Sequence, residues 1–284
     1  MLNIKLLTDR LFLTKIEKLN PKLYRFLTYD LYKKVYSPIV NIFRYKDKYF
    51  FDEVNIEIST YCNRKCDYCA NKNYESKKLF MAEETFYEII KQLKNIKFSG
   101  IITWAHFSEP LFDERLPKFV SYVKKELPKA IIVLTTNGDI LNIDKAIELE
   151  KAGIDKFVVT IHDKNPDRAY NRLIEVKKVL KHKMRLQTVY DLDLHNMAGE
   201  TDVDKYENYK KNNRHCLNAL KCAIAYTGDV LLCCVDYHKK HVYGNVMKDN
   251  IVDIWKRSSD VRKELLDKKY ARFSMCKKCL EIDE

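Results

Sequence analysis

The nine cysteines of this 284-residue chain fall into two groups, and their spacing constrains the fold more than any other feature. Cys62, Cys66 and Cys69 lie close together, and the other six follow residue 215. No apolar run approaches the roughly 20 residues that span a bilayer, and the first residues lack the apolar core of a secretory signal. We therefore expect a cytoplasmic protein with reduced thiols, in which clustered cysteines indicate metal binding or catalysis rather than disulfides.

The first cysteine group follows a segment with strand periodicity. Val54, Ile56 and Ile58 alternate with polar residues, which predicts a β-strand that ends near Thr60. The cysteines would then lie in a loop at the carboxyl end of this strand. A loop of the form C-x3-C-x2-C can supply three thiolates to a four-iron cluster, which needs a fourth ligand to be closed. The open iron is where a cofactor or substrate would bind.

With Tyr68 before its last cysteine, this loop resembles the signature of the radical S-adenosylmethionine (SAM) superfamily. The resemblance implies a 4Fe–4S cluster on Cys62, Cys66 and Cys69, with SAM chelating the open iron and Tyr68 beside the cofactor. Reductive cleavage of SAM then gives a 5′-deoxyadenosyl radical that abstracts a substrate hydrogen atom, and a reductase such as flavodoxin or ferredoxin supplies the electron. A zinc site completed by a distant fourth ligand is the alternative.

Helix and strand patterns alternate after the cysteine loop. Phe86, Ile89, Ile90 and Leu93 have the spacing of an amphipathic helix. Strands are predicted at 101–107, 130–135, 157–161 and 184–189, and helices at 113–126, 143–152 and 168–181. This alternation predicts an α/β fold with a parallel sheet. The resemblance makes residues 51–205 a partial (β/α)6 barrel with its active site at the carboxyl ends of the strands.

Two segments at predicted strand ends match further parts of the family. Ser108-Glu109-Pro110 stands where these enzymes usually have Gly-Gly-Glu-Pro, which holds the amino group of SAM, and Glu109 keeps the carboxylate. Thr136 and Asn137 precede Gly138 in a turn like the Thr-Asn-Gly of the family, although the same residues would also suit a purely structural turn. The resemblance thus implies SAM contacts from Ser108, Glu109, Thr136 and Asn137.

The fourth predicted strand and the helix after it provide more candidates. Thr160 stands where related enzymes often place a serine near SAM. Arg168 or Arg172 could pair with the SAM carboxylate, although solvation at the helix surface is the usual role of either arginine taken singly. Asn196-Met197-Ala198-Gly199 resembles an Asn-Arg-Gly-Gly turn of the family, but Met197 stands in place of the arginine, which weakens the case for a cofactor contact there.

Three residues are candidates for contact with the substrate. His106 flanks the Glu109 segment, His162 follows the fourth strand and Arg185 lies on the fifth. Each could face the mouth of the barrel and hold a polar substrate or accept its proton. For the histidines, a core or surface position without a catalytic role is the alternative.

The second cysteine group resembles the SPASM/Twitch extension of radical SAM enzymes. Cys216 is followed by eleven residues, Gly228, four residues and Cys233, and Cys276 and Cys279 complete the pattern. The resemblance implies an auxiliary 4Fe–4S cluster on these four cysteines, in a small domain of a β-hairpin plus helix over residues 206–284. Cys222 and Cys234 are left over as buried free thiols, and a zinc ribbon is the alternative.

Residues 1–50 form a basic segment with apolar side chains at helical spacing. We expect it to pack on its own domain, whereas contact with an anionic membrane surface or a partner is the alternative. The net charge of +12 favours anionic partners in general.

These resemblances imply a radical SAM oxidoreductase that acts on a small polar metabolite such as a sugar or cyclitol and uses the auxiliary cluster for electron transfer. Maturation of a ribosomally made precursor peptide is the enzymatic alternative. A metal-containing nucleic-acid-binding module is the non-enzymatic alternative, but the basic residues are dispersed along the sequence rather than grouped.

Overall fold

The computed structural model describes residues 37–207 and 216–281, apart from 46, 48, 76, 105, 181, 182, 193, 268, 270 and 271. The chain divides into two compact units, Met1–Asp52 and Glu53–Glu284. In the first, helix α1 spans Ser37–Tyr45, and the side-chain amide of Asn41 donates to the carbonyl of Phe50 (2.9 Å). The rest of the predicted basic segment, residues 1–36, lies outside the described residues. Within the described residues, none of the helices combines the length and apolar character needed to cross a bilayer.

In the described part of the second unit, eight strands form one sheet in the order β5-β4-β3-β2-β1-β6-β7-β8. The strands are β1 Glu53–Ile56, β2 Ile101–Thr103, β3 Ile131–Thr136, β4 Lys156–Ile161, β5 Met184–Thr188, β6 Lys221–Ile224, β7 Asp229–Leu231 and β8 Val242–Asn245. Neighbours from β5 to β6 pair in parallel, and β6, β7 and β8 pair antiparallel. The predicted α/β fold with a parallel sheet is thus confirmed.

Helices follow the first four strands, as the sequence pattern predicts. They are α2 Glu83–Asn95, α3 Leu116–Glu126, α4 Ile143–Ala152 and α5 Asp167–Leu180. In the described part of the C-terminal region, three shorter helices follow β8: α6 Ile251–Arg257, α7 Ser259–Leu266 and α8 Ser274–Leu280.

The apolar stripe of α2 is buried, as its spacing predicts. Phe86, Ile89, Ile90 and Leu93 are all fully buried. Phe86 stacks on Phe119 of α3, with 4.0 Å between ring centroids. Burying each such side chain contributes about 1.5–3 kcal/mol, so this layer fixes the helices against one face of the sheet.

The second strand is shorter than predicted. It ends at Thr103 rather than 107, because the chain then turns toward the cysteine loop and the amide of Glu109 donates to the carbonyl of Tyr61 (2.8 Å). The segment that carries Glu109 is therefore tied to the end of the first strand.

The hairpin of the second cysteine group continues the sheet of the barrel. Its first strand, β6, lies beside β1, with Ala223 opposite Asn55, rather than next to β5. The turn to β7 contains Gly228 at φ +86°, where a Cβ atom would lie 3.0 Å from Cγ2 of Thr85. This pairing carries the chain from the barrel sheet directly to Cys233.

Candidate functional site

The first three cysteines lie in the loop after β1, as predicted. The amide of Cys69 donates to the carbonyl of Cys66 (3.0 Å), and the amide of Arg64 approaches the Cys62 sulfur at 3.5 Å. The ammonium of Lys65 donates to the carbonyl of Asn71 (2.7 Å), which closes the far side of the loop. All three thiols are partly exposed, so the loop presents them to the space above the sheet.

Burial raises the pKa of each of these three thiols. The pKa of Cys62 is raised to about 11, mainly by burial and in smaller part by the negative charges of Glu109, Cys69 and Cys66. The raised pKa values keep the free thiols protonated at neutral pH. Iron binds the thiolate form, so cluster binding displaces these protons. Three partly exposed thiols within electrostatic reach of one another suit three corners of a 4Fe–4S cluster.

The carboxylate of Glu109 connects the loop after β2 to the loop after β3. Its side chain is 2% exposed, and its carboxylate accepts hydrogen bonds from Oγ1 of Thr136 (2.6 Å) and from the amides of Asn137 (2.7 Å) and Leu111 (3.1 Å). Burial raises the pKa of Glu109, while these donors lower it. The structure thus brings together three residues that the sequence analysis selected as SAM contacts, and fixes the orientation of the carboxylate.

A network of polar side chains, not predicted from the sequence, joins the loop after β3 to the cysteine loop. The side-chain amide of Asn137 donates to Oδ1 of Asn63 (2.8 Å), and the side-chain amide of Asn63 donates to Oδ2 of Asp139 (2.6 Å). The guanidinium of Arg64 holds Asp139 with two bonds of 2.6 and 2.5 Å and contacts Asp163 at 3.1 Å. The sequence does contain one indication of this network. Asn63 and Arg64 lie between Cys62 and Cys66, so their side chains must lie near the thiols.

Tyr68 and His162 form a direct contact. The hydroxyl of Tyr68 is hydrogen-bonded to Nδ1 of His162, and the two rings stack with 5.8 Å between centroids. The pKa of His162 is lowered to about 4, mainly by burial and in smaller part by the charge of Arg64. The histidine therefore stays neutral at pH 7 and packs against the cysteine loop, while its contact with substrate stays a prediction.

Ser108 and His106 lie in the segment that joins β2 to Glu109. Ser108 Oγ is buried and has no hydrogen-bond partner in the described part of the chain, which leaves it available to a ligand. Nε2 of His106 lies 3.4 Å from the carbonyl of Asn55. Burial lowers the pKa of His106, whereas the charge of Glu57 raises it.

The remaining candidates have different environments. Arg172 donates to the carbonyls of Leu141 (2.6 Å) and Gly138 (2.8 Å), so two of its donors hold the loop after β3. Arg168 lines a surface cavity together with Arg172.

Thr160 and Arg185 lie on the last two parallel strands. Oγ1 of Thr160 accepts from Nε2 of Gln187 (3.0 Å) on the neighbouring strand. Arg185 is exposed on β5, opposite Val158. The predicted contacts of Thr160 with SAM and of Arg185 with substrate stay predictions.

The four cysteines chosen for the auxiliary cluster line one cavity together with apolar side chains. Cys276 and Cys279 share one face of α8 because they are three residues apart. Burial raises the pKa of Cys276 to about 12 and that of Cys279 to about 11, and the charge of Cys216 adds to both shifts. Four thiols around one largely apolar space suit a cluster with four cysteine ligands.

No three His, Cys, Asp or Glu side chains in the described ranges converge closely enough to hold a single metal ion.

Adjacent Cys233 and Cys234 point to different surroundings. Cys233 packs with the apolar residues around the cavity, whereas Cys234 packs with Ala223, Ala225 and Leu231. The geometry therefore favours Cys233 as the ligand, as the glycine spacing predicts.

Comparison with known proteins agrees with both cysteine groups. The profile of the radical SAM superfamily matches residues 56–213, and that of the SPASM family, an iron–sulfur cluster-binding domain, matches residues 216–280. The S-adenosyl-L-methionine-dependent 2-deoxy-scyllo-inosamine dehydrogenase of Niallia circulans is 29% identical over 236 residues, which cover 82% of this chain and 94% of the relative. A probable GTP 3′,8-cyclase of Methanococcus maripaludis is 36% identical over 117 residues, 39% of this chain and 36% of that protein.

A solved structure shares the fold over the same part of the chain. The crystal structure of BtrN in complex with AdoMet and 2-DOIA superposes with a TM-score of 0.74 at 27% identity, and covers 82% of this chain and 94% of that one. The iron–sulfur assignment of the C-terminal domain replaces the zinc alternatives. The chain therefore belongs to the radical SAM superfamily, carries a C-terminal iron–sulfur domain of the SPASM family, and is an oxidoreductase that uses SAM.

Proposed function

We propose that this enzyme oxidises an alcohol carbon of a small polar metabolite, such as a sugar or a cyclitol, to a carbonyl. The observation that carries the proposal is the similarity, over 82% of the chain, to a dehydrogenase whose name gives 2-deoxy-scyllo-inosamine as its substrate. The cavity lined by Cys216, Cys233, Cys276 and Cys279 supports it, because oxidation of an alcohol removes two electrons and hydrogen-atom abstraction accounts for only one.

The SAM-binding side of the reaction is assigned to the loops that follow β1, β2 and β3. When bound, SAM on its cluster supplies the hydrogen-abstracting radical, and the auxiliary cluster supplies the acceptor for the second electron. Glu109 holds the SAM ammonium group, because its carboxylate is buried and already oriented by Thr136 and Asn137. A one-electron carrier such as flavodoxin or ferredoxin is the proposed reductant.

The substrate side is assigned to the polar interior of the barrel. Glu57, just after β1, accepts from the ammonium of Lys239 (2.7 Å) and the amide of Tyr226 (3.1 Å). Lys239 also lies 4.3 Å from the centroid of the Tyr226 ring. A buried carboxylate, an ammonium and an aromatic face can together bind hydroxyl groups and one apolar face of a ring-shaped polyol.

Removal of the hydroxyl proton needs a base in the same region. His106 suits this role because burial lowers its pKa, so the ring is neutral at pH 7. Its Nε2 lies beside the Asn55 carbonyl, which leaves Nδ1 as the basic nitrogen.

The test is turnover by the anaerobically reconstituted enzyme. It is incubated with SAM, a reductant and individual cyclitols and sugars, including 2-deoxy-scyllo-inosamine. We expect a subset of these alcohols to increase the release of 5′-deoxyadenosine and to form one ketone per SAM consumed. Deuterium on the reacting carbon should appear in 5′-deoxyadenosine. If no polyol stimulates cleavage while a peptide does, the proposal fails in favour of peptide maturation.

A further inference from the structure

One arginine of the C-terminal domain is completely buried. Arg262, on α7, is 0% exposed. Its Nε donates to Oγ of Ser258 (2.8 Å), and Nη1 donates to the carbonyl of Ala219 (2.8 Å). Longer contacts of 3.3 Å join its two terminal nitrogens to the carbonyls of Leu232 and Leu231. Every one of these acceptors is electrically neutral.

Among the described residues, the guanidinium of Arg262 forms no ion pair with a carboxylate. Instead, its Cζ atom lies 3.7 Å from the ring centroid of Trp255, whose face attracts a cation but does not neutralise it. Arginine is almost never fully buried without a partner, because removing an unpaired charge from water is costly. The position therefore calls for an anion nearby.

The cysteines of the auxiliary cavity supply that anion when they are ligated. Ala219 lies three residues after Cys216, and Leu232 directly precedes Cys233, so Arg262 binds the backbone of both ligand segments. Burial lowers the pKa of Arg262 to about 10, whereas Cys222, Cys233 and Cys216, when ionised, raise it. The guanidinium thus keeps its positive charge at neutral pH.

We propose that Arg262 is the buried counter-charge of the auxiliary cluster and raises its reduction potential. Four thiolates carry more negative charge than a 4Fe–4S core cancels, so the ligated cluster is an anion, and its reduction adds one further negative charge. A fixed positive charge in a dry environment stabilises the reduced form more than the oxidised form. Arg262 would therefore make the cluster a better electron acceptor.

This inference rests on the auxiliary iron–sulfur cluster and deepens the proposed acceptor role, but it does not depend on the identity of the substrate. The competing explanation is structural: the fork of donors would hold the two ligand segments through their carbonyls, and the charge itself would be incidental. Lysine keeps the charge but loses the fork, whereas glutamine keeps two donors but loses the charge. The two substitutions therefore separate the explanations.

The experiment uses the full chain with Cys62→Ala, Cys66→Ala and Cys69→Ala, so that only the auxiliary cluster is assembled. The reduced cluster is titrated against potential with mediator dyes and followed by electron paramagnetic resonance. At the midpoint potential of this parent, we expect Arg262→Gln to lower the ratio of reduced to oxidised cluster at least tenfold, a shift of about 59 mV for one electron. Arg262→Lys should change the ratio less than about threefold, or half a decade on the same scale.

Arg257→Gln is the matched control, because Arg257 is exposed and paired with Asp249 (2.8 Å), and it should leave the potential unchanged. A glutamine variant that retains its iron with an unchanged or higher potential overturns the proposal. If Arg262→Gln does not retain iron, the iron contents of the glutamine and lysine variants are compared instead of their potentials. Full iron in the lysine variant supports the counter-charge, and equal loss in both variants shows that the fork alone matters.

Discussion

Arg64 and Asp139 form a two-bond ion pair, with distances of 2.6 and 2.5 Å, although they are seventy-five residues apart in sequence. Arg64 lies inside the cysteine loop. Asp139 lies in the loop after β3, close to the residues that donate hydrogen bonds to Glu109. The pair therefore fixes the first cluster loop to the loop after β3. Because the Arg64 side chain is only 21% exposed, solvent weakens this contact less than it weakens a surface pair.

Loss of this pair should affect both the fold and the binding of SAM. We expect Arg64→Ala to lower the free energy of unfolding by about 1–2 kcal/mol, because a charge-assisted bidentate contact is lost. The dissociation constant for SAM should rise, because the cysteine loop loses its fixed position. Chemical denaturation and calorimetric titration measure the two effects. Lys91→Ala, which removes the exposed contact with Glu88, should change neither; identical behaviour of the two variants would contradict the prediction.

Cys66 should be required for one cluster and not for the other. Anaerobic reconstitution of the unmodified chain should give about eight irons, four at each cysteine group. Cys66→Ala should retain about four irons and lose cleavage of SAM. Cys222→Ala is the control, since this thiol is buried and does not line the cavity of the auxiliary ligands, and it should keep about eight irons. Iron analysis and chromatography of 5′-deoxyadenosine provide the readouts, and substantial cleavage by Cys66→Ala would exclude the assignment.

Glu109 should contribute directly to the binding of SAM. Replacing its carboxylate by an amide in Glu109→Gln removes a charge-assisted hydrogen bond worth about 1.5–3 kcal/mol, so the dissociation constant should rise at least about tenfold. Glu114→Gln, an exposed neighbour, should bind SAM normally. An unchanged constant in Glu109→Gln, with the same circular dichroism spectrum as the parent, would argue against this role.

His162 should make the stability of the protein depend on pH. In the unfolded chain a histidine takes up its proton near pH 6.5, whereas burial keeps the pKa of His162 at about 4 in the fold. The unfolded state therefore binds more protons as the pH falls below about 7, and the free energy of unfolding decreases. Between pH 7 and 5.5 this loss should reach about 1 kcal/mol. Chemical denaturation at both values should show a smaller decrease for His162→Gln; equal decreases would show that the histidine titrates normally.

Removal of two auxiliary ligands should separate radical formation from product formation. In Cys276→Ala with Cys279→Ala, we expect reductive cleavage of SAM and deuterium transfer from substrate to persist, while the oxidised product is lost. The reason is that the substrate radical has no acceptor for its second electron. Retention of about four irons at the first cysteine group shows that the barrel remains folded. A normal yield of product would rule out the acceptor role.

The sequence by itself determined the order of strands and helices and the two groups of cysteines. Both depend on local spacing: the alternation of Val54, Ile56 and Ile58 specifies a strand, and the stripe from Phe86 to Leu93 specifies a buried helix face. Cys276 and Cys279, three residues apart, share a helix face for the same reason. Such signals involve residues only a few positions apart, so they can be interpreted without knowing the packing.

Only the tertiary structure decided which distant residues meet. Three contacts join segments that are far apart in sequence. Strand β6 pairs with β1, Arg172 donates to the carbonyl of Gly138 in the loop after β3, and Arg64 forms an ion pair with Asp139. The burial of Arg262 beside Cys216 and Cys233 is of the same kind, because an arginine on a short amphipathic helix looks like a solvated residue until the packing of that helix is known. Long-range contacts depend on the pairing of strands and the docking of helices, which local periodicity does not encode.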